Sequence, residues 1–221
     1  MLETIEVDTA PDPIAAVIWL HGLGADGGDF VPIVHELDLA GCPPVRFVFP
    51  HAPTMPVTVN NGYVMRAWYD ILGPDLTRRE DEAGLRTSQA AIEELIAVQV
   101  ARGIPGERIF LAGFSQGCAM TLQTGLRHPQ RLGGLLCLSG YLPLAASTAV
   151  ESAPANRGIP IFMAHGSSDP VIPIARAVAS RDKLLELGYA VEWHDYAMPH
   201  SVCPQEIADI GRWFVQTLTQ A

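Results

Sequence analysis

Cysteine is scarce in this chain of 221 residues: Cys42, Cys118, Cys137 and Cys203 are the only four, with no C-x-x-C pair and no regular spacing. A chain of this length buries enough surface to fold without bridges. A disulfide scaffold and a cysteine-built metal site are therefore excluded, and reduced thiols point to a cytoplasmic protein. Positive charge is also in short supply, with 14 Lys and Arg against 24 Asp and Glu, a formal charge of −10. No clustered basic stripe works against that balance, so nucleic acid is excluded as a partner and stable association with an anionic membrane is not expected. No run approaches the ~18 consecutive apolar residues of a membrane span. The first residues, MLETIE, carry acids where a signal peptide needs basic residues, so no secretory export is expected. Repeats, low-complexity tracts and Ser/Gly linkers are missing too, which predicts one domain over 1–221.

Short apolar runs rich in β-branched residues are plentiful, at 14–20, 45–49, 108–112, 134–138, 159–164 and 190–194. They read as strands buried on both faces. Helical patterns occupy about 27–38, 85–102, 116–128, 174–187 and 204–219, several closed by a glycine such as Gly103 or Gly188. Alternating strand and helix predicts an α/β fold, with a mostly parallel central sheet and helices on both faces. Thr4 to Asp8 adds an antiparallel edge strand. Ligands of such sheets bind beyond the carboxyl ends of the strands, so the residues that follow each run carry the functional information.

After the run 108–112 comes Gly113-Phe114-Ser115-Gln116-Gly117 and then a helical stretch. This is a G-x-S-x-G turn between strand and helix, which holds a serine hydroxyl outward. A hydroxyl needs a general base to become a nucleophile, and the base needs a carboxylate to orient it, in the chain order Ser, Asp or Glu, His. His165-Gly166-Ser167-Ser168-Asp169-Pro170 follows the fifth run, and Asp195-Tyr196-Ala197-Met198-Pro199-His200 follows the sixth. Asp169 is the preferred acid, with Asp195 as its rival five residues before the base, His200. His35 and His128 lie on helices and are expected to face solvent, while His51, His165 and His194 sit at strand ends in structural roles. No H-E-x-x-H spacing suggests a metal, and no cofactor is expected.

A developing oxyanion needs donors as well. The Gln116 N–H is one; the loop His21-Gly22-Leu23-Gly24-Ala25-Asp26-Gly27-Gly28 offers the Leu23 N–H as the other. The same loop spells G-x-G-x-x-G, which makes a dinucleotide-binding protein an alternative. The next strand, however, ends Val48-Phe49-Pro50-His51, without the acid such a site expects.

Six ordered motifs, HGLGADG (21–27), FPHAP (49–53), WYD (68–70), LAGFSQG (111–117), HGSSDPVIP (165–173) and PHSVCPQE (199–206), resemble the acyl-protein thioesterase and bacterial carboxylesterase family of α/β-hydrolases. The resemblance implies an α/β-hydrolase fold without a separate cap domain, Ser115 as nucleophile, Asp169 as acid, His200 as base, and Leu23 and Gln116 as oxyanion donors. It implies a serine carboxylesterase acting on a small-molecule ester of short to medium chain, or on thioesters. Acyl-protein thioesterase or lysophospholipase is the alternative activity; a non-catalytic receptor with the same fold is a more distant one. Two positions depart from the family pattern. Cys118 replaces a glycine behind the nucleophile, and Pro199 replaces a glycine before the histidine, stiffening that loop. The irregular segment 60–84 corresponds to a loop bordering the acyl pocket, with Met65, Trp68, Ile71 and Leu72 as candidate contacts, joined by Val171 and Ile172 beside the acid. Apolar residues near 63–72 leave a homodimer open.

Overall fold

All but the last of the apolar runs become strands buried on both faces, their side chains alternating between two cores, while the last, at the sheet edge, keeps Glu192 and Asp195 exposed. In β2 (Ala15–Leu20), Ala16, Ile18 and Leu20 enter one core while Ala15, Val17 and Trp19 enter the other. A computed structural model describes residues 1–73 and 79–220. Its strands are β1 (Thr4–Asp8), β2, β3 (Val45–Pro50), β4 (Thr54–Val57), β5 (Tyr63–Arg66), β6 (Ile109–Phe114), β7 (Gly134–Leu138), β8 (Ile161–Gly166) and β9 (Val191–Tyr196). Its helices are α1 (Ile33–Glu36), α2 (Glu82–Ala101), α3 (Gln116–Arg127), α4 (Ala145–Glu151), α5 (Ile174–Glu186) and α6 (Pro204–Gln220).

Seven strands form one sheet in the order β1-β3-β2-β6-β7-β8-β9. Only β1 runs antiparallel, pairing Ile5 with Phe49 at the β3 edge. Helices α2, α3 and α5 bury Leu85, Ile92, Ile96, Leu122, Leu126 and Leu184 in the first core. Helices α1 and α6 bury Ile33, Val34, Trp213 and Phe214 in the second. Helix α3 packs on β6 and β7 with α2 and α4 against it, and all twelve of its residues are buried. The chain goes from β2 to β3 on one side and returns to β6 on the other side of β2. The strand order therefore reverses at β2, and a crevice opens beyond the carboxyl ends of β2 and β6.

Two expectations change. The helix expected over 27–38 contracts to Ile33–Glu36. Residues 26–33 instead form consecutive turns, with Asp29 N–H donating to Asp26 O, Val31 to Gly28 O and Ile33 to Phe30 O. His128 ends α3 buried, not in solvent. Segment 60–84 begins within a two-stranded hairpin, β4 with β5, turned by left-handed Asn61 and Gly62; its residues 74–78 lie outside those described.

Candidate active site

At the end of β6 the chain reverses sharply into α3, with Ser115 at φ 57° and ψ −116°, a strained conformation for a residue with a Cβ. Strain of this kind needs surroundings that over-determine it. Ser115 N–H donates to Leu138 O at 2.9 Å, and Ser115 O accepts from Ala119 N–H at 3.2 Å, so β7 and α3 fix the turn from both sides. The flanking glycines are required by close approach. A Cβ on Gly113 would overlap the Gly117 carbonyl, and one on Gly117 would overlap Leu20 O. Cys118, the departure from the family pattern, is accommodated by Gly140, where a Cβ would lie 2.5 Å from the Cys118 sulfur. The extra bulk is thus absorbed behind the turn.

Asp169 and His200 meet across the ends of β8 and β9. His200 Nδ1–H donates to Asp169 Oδ2 at 2.6 Å. Asp169 Oδ1 accepts from the amides of Val171 and Ile172 at 2.8 and 2.9 Å, which fixes the carboxylate plane. Burial alone would raise the Asp169 pKa; the hydrogen bonds from His200, Ile172 and Val171 outweigh it and hold the group below its ordinary value. His165 supports the same carboxylate. Its Nε2 donates to Ile172 O at 2.8 Å and stands 3.3 Å from Asp169 Oδ2, while burial keeps its pKa low. The Phe114 ring packs on His200 with centroids 4.7 Å apart. The rival acid, Asp195, is exposed on β9. The proline at 199 sits in a tight turn closed by Ser201 N–H to Pro199 O at 2.9 Å, so the stiff loop delivers His200 to the acid.

The loop 21–28 is locked by its neighbours. Ala52 N–H donates to His21 Nε2 at 3.0 Å, so His21 carries its proton on Nδ1 and donates it to Gly22 O at 2.7 Å. Gly27 N–H donates to His51 Nδ1 at 3.1 Å. The motifs HGLGADG and FPHAP are thus two halves of one interlock. Among the described residues, the Leu23 N–H has no hydrogen-bond acceptor, and Gln116 N–H opens α3, where first-turn amides lack intrahelical partners. Both residues line the pocket that contains Ser115 and His200.

That pocket encloses about 460 Å³ and is walled by Leu23, Ala25, Val59, Tyr69, Ile71, Phe114, Tyr141, Val171 and Ile172, among others. Of the candidate contacts, Ile71, Val171 and Ile172 lie in its wall. Met65, Trp68 and Leu72 do not. Met65 lies in the hairpin, with its sulfur 3.5 Å from Asn60 Nδ2. Leu72 borders a separate small space of about 10 Å³. Trp68 is fully buried because its indole N–H is committed to His21 O at 2.9 Å. Its own amide donates to Gln116 Oε1 at 2.9 Å, and Gln116 Nε2 donates to Tyr69 O at 2.8 Å. Each residue of the WYD motif thus ties a different part: Trp68 the loop at 21, Tyr69 the pocket wall, and Asp70 the hairpin, through Thr58 N–H at 2.7 Å. Sequence reasoning missed Ala25, Val59 and Phe114 in this wall, and also Tyr69 and Tyr141, which are brought together from 72 positions apart.

Glu206 lies in the first turn of α6, six residues beyond His200. It is fully buried, and neither carboxylate oxygen has a hydrogen-bond partner among the described residues. Burial raises its pKa from 4.5 to about 8, and the nearby Cys203 amide, short of hydrogen-bond geometry, offsets this only in part. Between those values the folded protein binds a proton that the unfolded chain releases. Stability therefore falls as pH rises through this window, and the whole penalty is present above about pH 8. Glu206→Gln abolishes the titration. By calorimetry it is expected to raise Tm by several degrees at about pH 9 and to change it little at about pH 5; equal shifts at both would contradict the burial account.

A reversing parallel sheet, a serine on a strained strand-to-helix turn and a histidine bonded to a buried aspartate define an α/β-hydrolase, and chemically a serine hydrolase acting on ester bonds. Among the described residues no group of three or more His, Cys, Asp or Glu could hold a metal ion, and no helix is long and apolar enough to cross a membrane. The chain belongs to the phospholipase/carboxylesterase family, which it matches over residues 3–218. It is 41% identical to acyl-protein thioesterase 1 of Neurospora crassa over 218 residues, covering 92% of this chain and 87% of the relative. The solved structure of SOBER1 from Arabidopsis thaliana superposes with a TM-score of 0.86 at 32% identity, covering 92% of this chain and 99% of that one. Acyl-protein thioesterase 2 of Zea mays gives 0.86 at 26% identity, covering 99% and 100%.

Proposed function

We propose that this chain hydrolyses acyl thioesters, and oxygen esters of the same acyl groups, through an acyl-enzyme on Ser115. The observation that carries the reading is the Asp169–His200 hydrogen bond in a wall shared with Ser115 and lined by apolar side chains. With Nδ1–H held by Asp169, His200 presents an unprotonated Nε2. That nitrogen takes the Ser115 proton as Oγ attacks the acyl carbonyl, and the Leu23 and Gln116 amides receive the oxyanion. Collapse of the tetrahedral species expels the thiolate or alkoxide, which takes the proton back from His200. Water then loses a proton to His200 and attacks the acyl carbonyl; collapse of the second tetrahedral species releases the carboxylic acid, and the departing Ser115 Oγ takes the proton back from His200. Asp169 keeps the imidazole in one tautomer and stabilises its cation.

The residues alone put oxygen esters first and acyl-protein thioesterase second. The names of the relatives, acyl-protein thioesterase 1 at 41 and 42% identity, favour the second. The test compares an octanoyl thioester on a cysteine peptide with the octanoyl oxygen ester of the matching serine peptide, with a lysophospholipid beside them. The expected result is a kcat/KM at least about tenfold higher for the thioester; turnover of the oxygen ester or the lysophospholipid alone overturns the thioesterase reading. Such a ratio lies within what differential binding of closely related substrates supplies.

A further inference from the structure

The wall of the pocket changes character with depth. At its mouth Val59 and Val171 are 38% and 59% exposed, whereas Tyr69 and Tyr141 are 3% and 4% exposed. The two phenol hydroxyls share a hydrogen bond of 2.8 Å. The buried part of the pocket wall thus includes, beside Gln116 and Ile172, two aromatic rings joined at their polar tips.

Each ring is also held from behind. The Tyr69 carbonyl accepts from Gln116 Nε2 at 2.8 Å, which fastens it to the nucleophile helix. The Arg176 guanidinium lies 3.8 Å from the centre of the Tyr141 ring, a cation–π contact reached from α5. The next residue, Leu142, donates its amide to Ser180 Oγ at 2.9 Å, again on α5. Leu144 N–H donates to Glu80 at 3.1 Å, so the segment after β7 is pinned from α5 on one side and from the chain before α2 on the other. Retreat of Tyr141 would break several of these contacts together, and a floor so fastened does not yield to one more methylene.

We propose that the Tyr69–Tyr141 pair is the specificity-determining floor of the acyl pocket, a rigid stop that restricts the enzyme to acyl chains short enough to end above it. The inference rests on the hydrolase reading of the site and adds the substrate's chain-length class to it. Each methylene that finds apolar wall raises kcat/KM by about two- to fourfold. The first that meets the paired rings finds no room, and its tail must bend back towards the mouth and solvent.

The test is a series of p-nitrophenyl esters of saturated acids, from butyrate to palmitate, hydrolysed by the full chain. Wild-type kcat/KM is expected to climb with length, break at one chain length and fall at least tenfold by palmitate. Tyr141→Ala opens the floor and is expected to raise the palmitate-to-butyrate ratio at least tenfold. Tyr141→Phe keeps the ring and is expected to leave the break within two methylenes of its wild-type place. Labelling of Ser115 by a fluorophosphonate verifies that each variant retains a formed site, and Tyr141→Leu replaces an alanine variant that is not labelled. An unbroken rise through palmitate in the wild type overturns the proposal even if every variant misfolds. So does a Tyr141→Ala or Tyr141→Leu profile that matches wild type, or a Tyr141→Phe shift as large as that of the smaller side chains. A wild type that is inert to all the esters and is not labelled by the fluorophosphonate defeats the hydrolase reading itself; activity without a break defeats only the floor.

Discussion

Replacing Ser115 with alanine is expected to lower kcat on a p-nitrophenyl ester by on the order of 10⁴-fold or more, the scale of loss when one member of a catalytic triad is removed. The expectation follows from the backbone as much as from the hydroxyl. Ser115 is held at φ 57° by bonds to Leu138 and Ala119, with glycines excluded from carrying a Cβ on both sides, an arrangement whose outcome is an Oγ presented to the pocket. Alanine keeps that backbone and the Cβ, so the loss isolates the oxygen. Thermal unfolding should barely move, which separates a chemical defect from a folding one. Residual activity within tenfold of wild type would place the nucleophile elsewhere.

The second large effect distinguishes two carboxylates. Asp169→Asn should lower kcat by about 10³- to 10⁴-fold, because an amide at the same place favours the wrong imidazole tautomer. Asp195→Asn should stay within about threefold of wild type, since surface substitutions away from special features change little. The geometry behind the ranking is direct: Asp169 receives His200 Nδ1–H at 2.6 Å and two backbone amides, whereas Asp195 is exposed on β9. Steady-state kinetics of the two variants decide it, and the reverse order would show that the imidazole is oriented from the other strand. His165 sharpens the Asp169 result. With its Nε2 3.3 Å from Oδ2, it lends the carboxylate a further positive edge that an amide oxygen would use less well.

The sheet was legible because strands such as β2 and β7 are apolar at every position, which only burial on both faces explains. The strand ends were legible too, since G-x-S-x-G and the later acid and base each sit where the chain leaves the sheet. The stretch 27–32 was misread as helix because its apolar spacing is helical, while its conformation is set by tertiary contacts. Gly27 lies too close to Phe49 O for a Cβ and gives its amide to His51. Trp68 is a candidate substrate contact in the sequence because an aromatic in an irregular segment beside a pocket invites that reading as readily as plain packing. What decides its place is an indole N–H that finds an acceptor, His21 O, 47 positions away. Tyr69 stands in the WYD motif and Tyr141 in none of the six. Neither has a spacing or motif that announces a partner 72 residues distant, and only the folded chain shows that two strand-end segments converge on one pocket.

Gln116 places the chemistry and the deep wall under one inheritance. Its backbone amide faces the reacting carbonyl in the proposed mechanism, and its carboxamide bonds Trp68 and Tyr69 at 2.9 and 2.8 Å. A lineage drifting towards new substrates through Tyr69 would disturb the same residue that opens the nucleophile helix. The side chains of Val59 and Val171, exposed at the mouth, carry no such tie; Val171 holds Asp169 through its backbone amide alone. Descendants of this sequence should therefore diversify first at the rim, where a change of side chain alters what enters without touching how it is cleaved.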